Sequence, residues 1–137
     1  MKNLPLNHYS TWPFARKTII FLDAAKNVDE VVNRRVGSHE VSYYLLSHSI
    51  ELAIKAVAQL KTGNPPPRIH DKQELSEMFR SECGFTNEEM DTIKKLKELN
   101  NGQGGLRYEN EPHGEFLPSI FTDGVTIIER LITENFQ

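Results

Sequence analysis

One cysteine, Cys83, and one tryptophan, Trp12, are all that this chain of 137 residues carries of either type. A lone cysteine excludes an intramolecular disulfide and a cysteine-rich zinc site, and it is the usage expected in the reducing cytoplasm. Long apolar runs are missing too. The longest, Ile19 to Leu22, falls far short of the roughly 20 residues that a membrane helix needs. Met1 to His8 contain no apolar stretch of the kind secretory signals carry, so no signal peptide is expected. Neither charge dominates: 16 basic against 19 acidic residues leave a net charge of −3. That excludes a general polyanion binder and leaves room only for a local basic patch. Period-two alternation and internal repeats are absent. Hydrophobic residues at 38% and charged residues at 26% suit one packed core. The expectation is a single cytoplasmic domain over residues 1–137.

What is present is helical periodicity, punctuated by Gly, Pro and Asn clusters. The first helix is expected at about 12–33, capped by Ser10 or Thr11, with Pro13 in a first turn that needs no N–H there. Phe14, Phe21, Ala25, Val28 and Val32 form its apolar stripe. A second helix, about 38–60, is capped by Ser38 and aligns Val41, Leu45, His48, Leu52, Ala56 and Leu60, with Tyr44 and Val57 widening the face. Gly63 ends it, and Pro65 to Pro67 form a stiff connector. Asp71 with Glu74 opens a third helix, 71–82, with Leu75, Met78 and Phe79 inward. Thr86 with Glu89 is a capping box for a fourth, 87–99, carrying Met90, Ile93, Leu96 and Leu99. The last, 115–134, places Ile120, Phe121, Val125, Ile128, Leu131 and Ile132 on one side. The fold class is therefore all-α, an up-and-down bundle of four to five helices.

The stretch from Asn100 to Gly114 is the most unusual. Its clustered glycines, Gly102, Gly104 and Gly105, read as turn residues, because no Lys-Ser or Lys-Thr follows as in a phosphate-binding loop. Arg107 and His113 have the chemistry for metal-independent RNA cleavage. The histidine would move the proton of a 2′-hydroxyl, and the arginine would stabilise charge on the phosphate. Equally, Arg107 can pair with a surface acid such as Glu109 or Glu111, leaving His113 a solvated loop residue. Glu51 and Lys55, four apart, are expected to form an exposed pair, although Glu51 borders the buried face and is a candidate contact for the Arg107 loop. His48 lies on the apolar face as a core or interface histidine. With His39 and His70 it lacks ligand spacing, so no metal site and no cofactor are expected. Tyr43 and Tyr44 either stack on a base or pack against the last helix. Arg34, Arg35, Lys61 and Arg68 form either a basic rim or an ordinary solvated surface.

The run Tyr43-Tyr44-Leu45-Leu46-Ser47-His48-Ser49-Ile50-Glu51-Leu52-Ala53-Ile54-Lys55-Ala56 resembles the second helix of HEPN domains, with its Glu-Leu-x-x-Lys-Ala core. The Gly-ended helix, the Pro-rich connector and His70-Asp71 continue the match, and Leu106-Arg107-Tyr108 is similar to an Arg-Tyr element before the last helix of many members. The resemblance covers about residues 10–135. It implies a bundle that usually dimerises. Some members are RNases of toxin–antitoxin or defence systems, using an Arg-x(4–6)-His motif assembled across the dimer. Others are binding modules, often beside a small nucleotidyltransferase, and nucleotide binding gave the family its name. Arg107 and His113 have the nuclease spacing. Tyr108, however, stands where nuclease members carry a small polar residue, and Pro112 and Gly114 hold His113 in a loop. The expectation is therefore a non-catalytic homodimer binding nucleotide, RNA or a nucleotidyltransferase partner, with Tyr108, Asn110, Glu51 and Lys55 as ligand-binding residues. The alternative is a metal-independent RNase using Arg107 and His113.

Overall fold

A computed structural model of the chain describes residues 13–32, 39–100 and 118–137. These residues form helices and turns, and among them there is no strand. Helix α1 spans Pro13–Asn27 and runs into a π-helical turn, Val28–Val32. Helix α2 is the longest, Glu40–Thr62. The short helices α3 (Lys72–Met78) and α4 (Arg80–Cys83) follow, then α5 (Asn87–Asn100) and α6 (Pro118–Phe136). The all-α bundle expected from the periodicity is the observed architecture.

Local chemistry explains most of the boundaries. Pro13 opens α1, where its missing N–H has no helical partner to lose. Gly63 ends α2 at φ 76°, a left-handed conformation open to glycine at no steric cost, and its N–H bonds the Gln59 carbonyl. Asp71 caps α3 by accepting from the N–H groups of Gln73 and Glu74. The capping box at α5 is reciprocal: the Thr86 N–H donates to Glu89 Oε1 at 3.0 Å, and the Glu89 N–H donates to Thr86 Oγ1 at 3.1 Å. The proposed caps Ser10, Thr11 and Ser38 lie outside the described residues. At the start of α2 the N-cap residue is His39, which makes no side-chain capping bond.

The packing departs from the expected stripes in instructive ways. On α1 the fully buried face is Ala15, Thr18, Ile19, Leu22 and Ala25, whereas Phe14, Phe21 and Val28 sit at its edge. On α2, Ser42, Tyr43, Leu46 and Ser49 face inward, and the expected Val41 and Tyr44 are exposed. The cause is the position of α2. Every residue from Ser49 to Ala58 is buried, because α1, α3, α4, α5 and α6 all pack against this one helix. A helix enclosed this way has no single apolar stripe to read. The expected third helix is interrupted at Phe79 (φ −111°, ψ 26°), and the change of direction brings Cys83 and Phe85 into the core while leaving Met78 exposed.

Small residues bring the helices together. Ser49 Oγ donates to the Thr18 carbonyl at 2.8 Å, tying α2 to α1. At Gly124 of α6, an added Cβ would lie 2.8 Å from Leu46 Cδ2 and 3.3 Å from Leu96 Cδ1, so close packing against α2 and α5 requires the glycine. Tyr43 meets Phe121 of α6 edge to face, ring centroids 5.6 Å apart. Burial, then the charge of Asp29, push its phenol up to about 12, so Tyr43 stays neutral. Arg130 of α6 is the polar clamp of the far end. Its Nε and Nη2 donate to Glu89 Oε2 and Oε1 at 2.8 and 3.0 Å, Nη2 also reaches the Cys83 carbonyl at 3.1 Å, and Nη1 reaches Glu134.

Asp71 also pairs with Lys97 of α5 at 2.8 Å. Partial burial pushes the Asp71 carboxyl up, but the Lys97 ammonium and the two capping N–H groups outweigh it and hold the carboxyl below its ordinary value. A carboxyl with a lowered pKa in the folded chain adds stability that is complete above about pH 4 and is lost as the pH falls through the folded-state value. Asp71→Asn keeps the cap and removes the charge. In urea melts the stability gap between wild type and this variant should be constant from pH 5 to 7 and close below about pH 4.

Candidate functional site

Four polar or aromatic side chains, Tyr44, Ser47, His48 and Glu51, recur at i, i+3, i+4 and i+7 along α2 and so share one face. The connector from Gly63 through the prolines returns the chain beside that face, where His70 and Lys72 complete the lining of a cavity of about 280 Å³. The stiff prolines and the Asp71 cap fix where the two side chains arrive.

Glu51 is the centre of the charge arrangement. Its side chain is only 8% exposed, and Oε2 receives Lys55 Nζ and His70 Nδ1, each at 3.1 Å. The His70 contact puts a proton on Nδ1, since a carboxylate only accepts. Lys55 is buried as well, at 7%. The pair expected on the surface is therefore an internal one: the same i, i+4 spacing serves either place, and the enclosure of α2 decides which. His48, which also lines the cavity, packs edge to face on Phe21 of α1, ring centroids 4.5 Å apart.

Lys72 and Ser47 were not singled out from the sequence. Lys72 is 5% exposed, and among the described residues it enters no ion pair. Burial lowers the pKa of its ammonium, and Glu51 and Asp71 offset this only in part while Lys97 adds to the lowering. The Ser47 hydroxyl is buried with no hydrogen-bond partner among the described residues. Leaving such a group unsatisfied costs about 1–3 kcal/mol. The signal that could have found this site was the polar spacing of Tyr44, Ser47, His48 and Glu51 on an otherwise apolar helix.

Of the expected site residues, then, the structure brings Glu51 and Lys55 together. Arg107, Tyr108, Asn110 and His113 lie outside the described residues, as do Arg34 and Arg35 of the basic rim. Lys61 and Arg68 are exposed. Among the described residues no group of three or more His, Cys, Asp and Glu side chains is placed to hold a metal ion, and no helix is long and apolar enough to cross a membrane.

A helical bundle with a charged cavity built on its central helix is the class of protein that the geometry defines. A family model for the HEPN domain matches residues 16–132, so the chain belongs to the HEPN family. Membership supports a nucleotide- or RNA-related role, and HEPN domains often dimerise. Comparison with curated proteins and with solved structures gave no match.

A lysine with a lowered pKa in the folded chain makes folding less favourable while it is charged, and that penalty is relieved as the pH rises from the folded-state value toward about 10.4. Lys72→Met should therefore raise the urea midpoint at pH 7, and the gain over wild type should shrink as the pH approaches 10.5.

Proposed function

We propose that this chain is a non-catalytic, dimeric HEPN module that binds nucleotide, RNA or a partner such as a small nucleotidyltransferase. The observation that carries the ligand part is the cavity on α2, where a buried Glu51–Lys55 pair stands beside Lys72, a cation with no ion pair among the described residues. Charges held inside a protein at a cost in stability are characteristic of binding sites. Glu51 and Lys55 act by setting the field and shape of the cavity, and Tyr108 and Asn110 are proposed as further ligand-binding residues. The dimer part is supported by half-exposed apolar side chains on α1 and at the start of α2: Ile20 at 49% and Val41 at 57%.

The second reading, a metal-independent RNase, is favoured by one observation, the Arg107-x5-His113 spacing. The two are separated by incubating the purified chain with mixed RNA in EDTA. Intact RNA, together with saturable binding of a nucleotide or short RNA, is the expected result. Cleavage that persists in EDTA and is lost in both Arg107→Ala and His113→Ala would replace the binding module with the nuclease. For the dimer, sedimentation at micromolar concentration should give twice the chain mass, and Val41→Asp should shift it toward monomer by placing a charge in an apolar contact. A wild-type monomer at that concentration would overturn this part.

A further inference from the structure

The cavity on α2 contains two groups that have no contact partner among the described residues, and they differ in what would satisfy them. The Ser47 hydroxyl, on a residue 1% exposed, needs a hydrogen-bond partner. The Lys72 ammonium, on a residue 5% exposed, needs a negative charge. Glu51 is already engaged by Lys55 and His70, both on the same oxygen at 3.1 Å. Among the described residues that line the cavity, then, the one carboxylate is matched by Lys55 and the charge of Lys72 is in excess. Water can satisfy the hydroxyl but leaves that excess in place. An anionic oxygen satisfies both.

Size narrows the choice further. The cavity of about 280 Å³ lies just under the roughly 300–1,000 Å³ that encloses a whole small ligand. One charged group enters, and what is attached to it stays at the rim. At that rim stands the Tyr44 ring, 56% exposed, offering a flat apolar face on which a base can stack. The imidazole of His70, 80% accessible, stands at the rim as well, its Nδ1 engaged by Glu51.

We propose that this cavity is a phosphate subsite, in which Lys72 and Ser47 hold the phosphate group of a mononucleotide or of an RNA 5′ end while Tyr44 carries the adjacent base. The inference rests on the reading of the chain as a nucleotide- or RNA-directed module, and it adds the atoms that would recognise the ligand. Lys72 supplies the charge, and Ser47 supplies a directed O–H that ranks a phosphate oxygen above an apolar group of the same size.

The test is calorimetric titration of the full chain with inorganic phosphate, 5′-AMP, adenosine, and a short oligoadenylate with and without a 5′-phosphate. The 5′-AMP should bind about tenfold or more tightly than adenosine. Lys72→Met should abolish that preference while leaving the weak adenosine affinity in place, and the smaller change Ser47→Ala should reduce it. Stronger binding of the 5′-phosphorylated oligonucleotide than of both 5′-AMP and its 5′-hydroxyl counterpart assigns the phosphate to an RNA end; stronger binding of 5′-AMP assigns it to a free nucleotide. Equal affinity for 5′-AMP and adenosine, or a preference unchanged in Lys72→Met, would overturn the subsite and leave the binding module standing. No binding of any probe would overturn the subsite together with the nucleotide- and RNA-binding part of the proposed function.

Discussion

The enclosure of α2 is the constraint on which the rest of the molecule depends. From Ser49 to Ala58 this helix has no solvent side, so whatever it carries must be apolar, small or paired. Ile50, Ile54 and Val57 meet the first condition and Ser49, Ala53 and Ala56 the second. Glu51 and Lys55 meet the third, each being the other's counter-charge across one turn. Fully burying an isoleucine or valine contributes about 1.5–3 kcal/mol. Removing one member of a buried ion pair costs on the order of 3–5 kcal/mol, because it strands the other. The polar residues of α2 are thus held in place as firmly as its apolar ones, and a site built on them inherits the rigidity of the core.

Charge also runs outward from α2 in an alternating chain. Lys55 meets Glu51, Glu51 faces the field of Lys72, Lys72 adjoins Asp71, and Asp71 pairs with Lys97 of α5. Lys72 is the weak point of that series, since it is buried and has no direct carboxylate contact among the described residues. A sequence selected for stability alone would place an apolar residue there. The arrangement makes sense where occupation of the cavity compensates the charge, and the bound state is then more stable than the empty one by the usual mass-action relation.

Much of the fold was legible in the sequence. The all-α class is readable because Gly63, the Thr86–Glu89 box and the prolines act locally and leave local signatures, whereas the segment expected as one third helix is divided into α3 and α4. Facing was harder. Tyr43 and Tyr44 are adjacent and chemically alike, yet one is 1% and the other 56% exposed; that difference is set by where α6 lies, which no periodicity of α2 reports. The break at Phe79 has no glycine or proline to announce it, since it serves the burial of Cys83 and Phe85. For the site, Glu51 and Lys55 were legible as residues but not as a buried pair. Ser47 and Lys72 become significant only when a segment some twenty residues downstream folds back onto α2.

Cys83 carries a further consequence. It is the chain's single thiol, it is 3% exposed, and burial pushes its pKa up to about 12 against the opposing charge of Arg130. Thiolate, the form that oxidants and alkylating agents attack, is therefore nearly absent in the closed structure. Its chemistry is coupled to conformational opening at the junction of α4, α5 and α6, where the Arg130 clamp sits. The same contacts that tie α6 to the start of α5 thus set how often this atom meets its surroundings, and a structural anchor becomes the timer of the chain's only thiol reactivity.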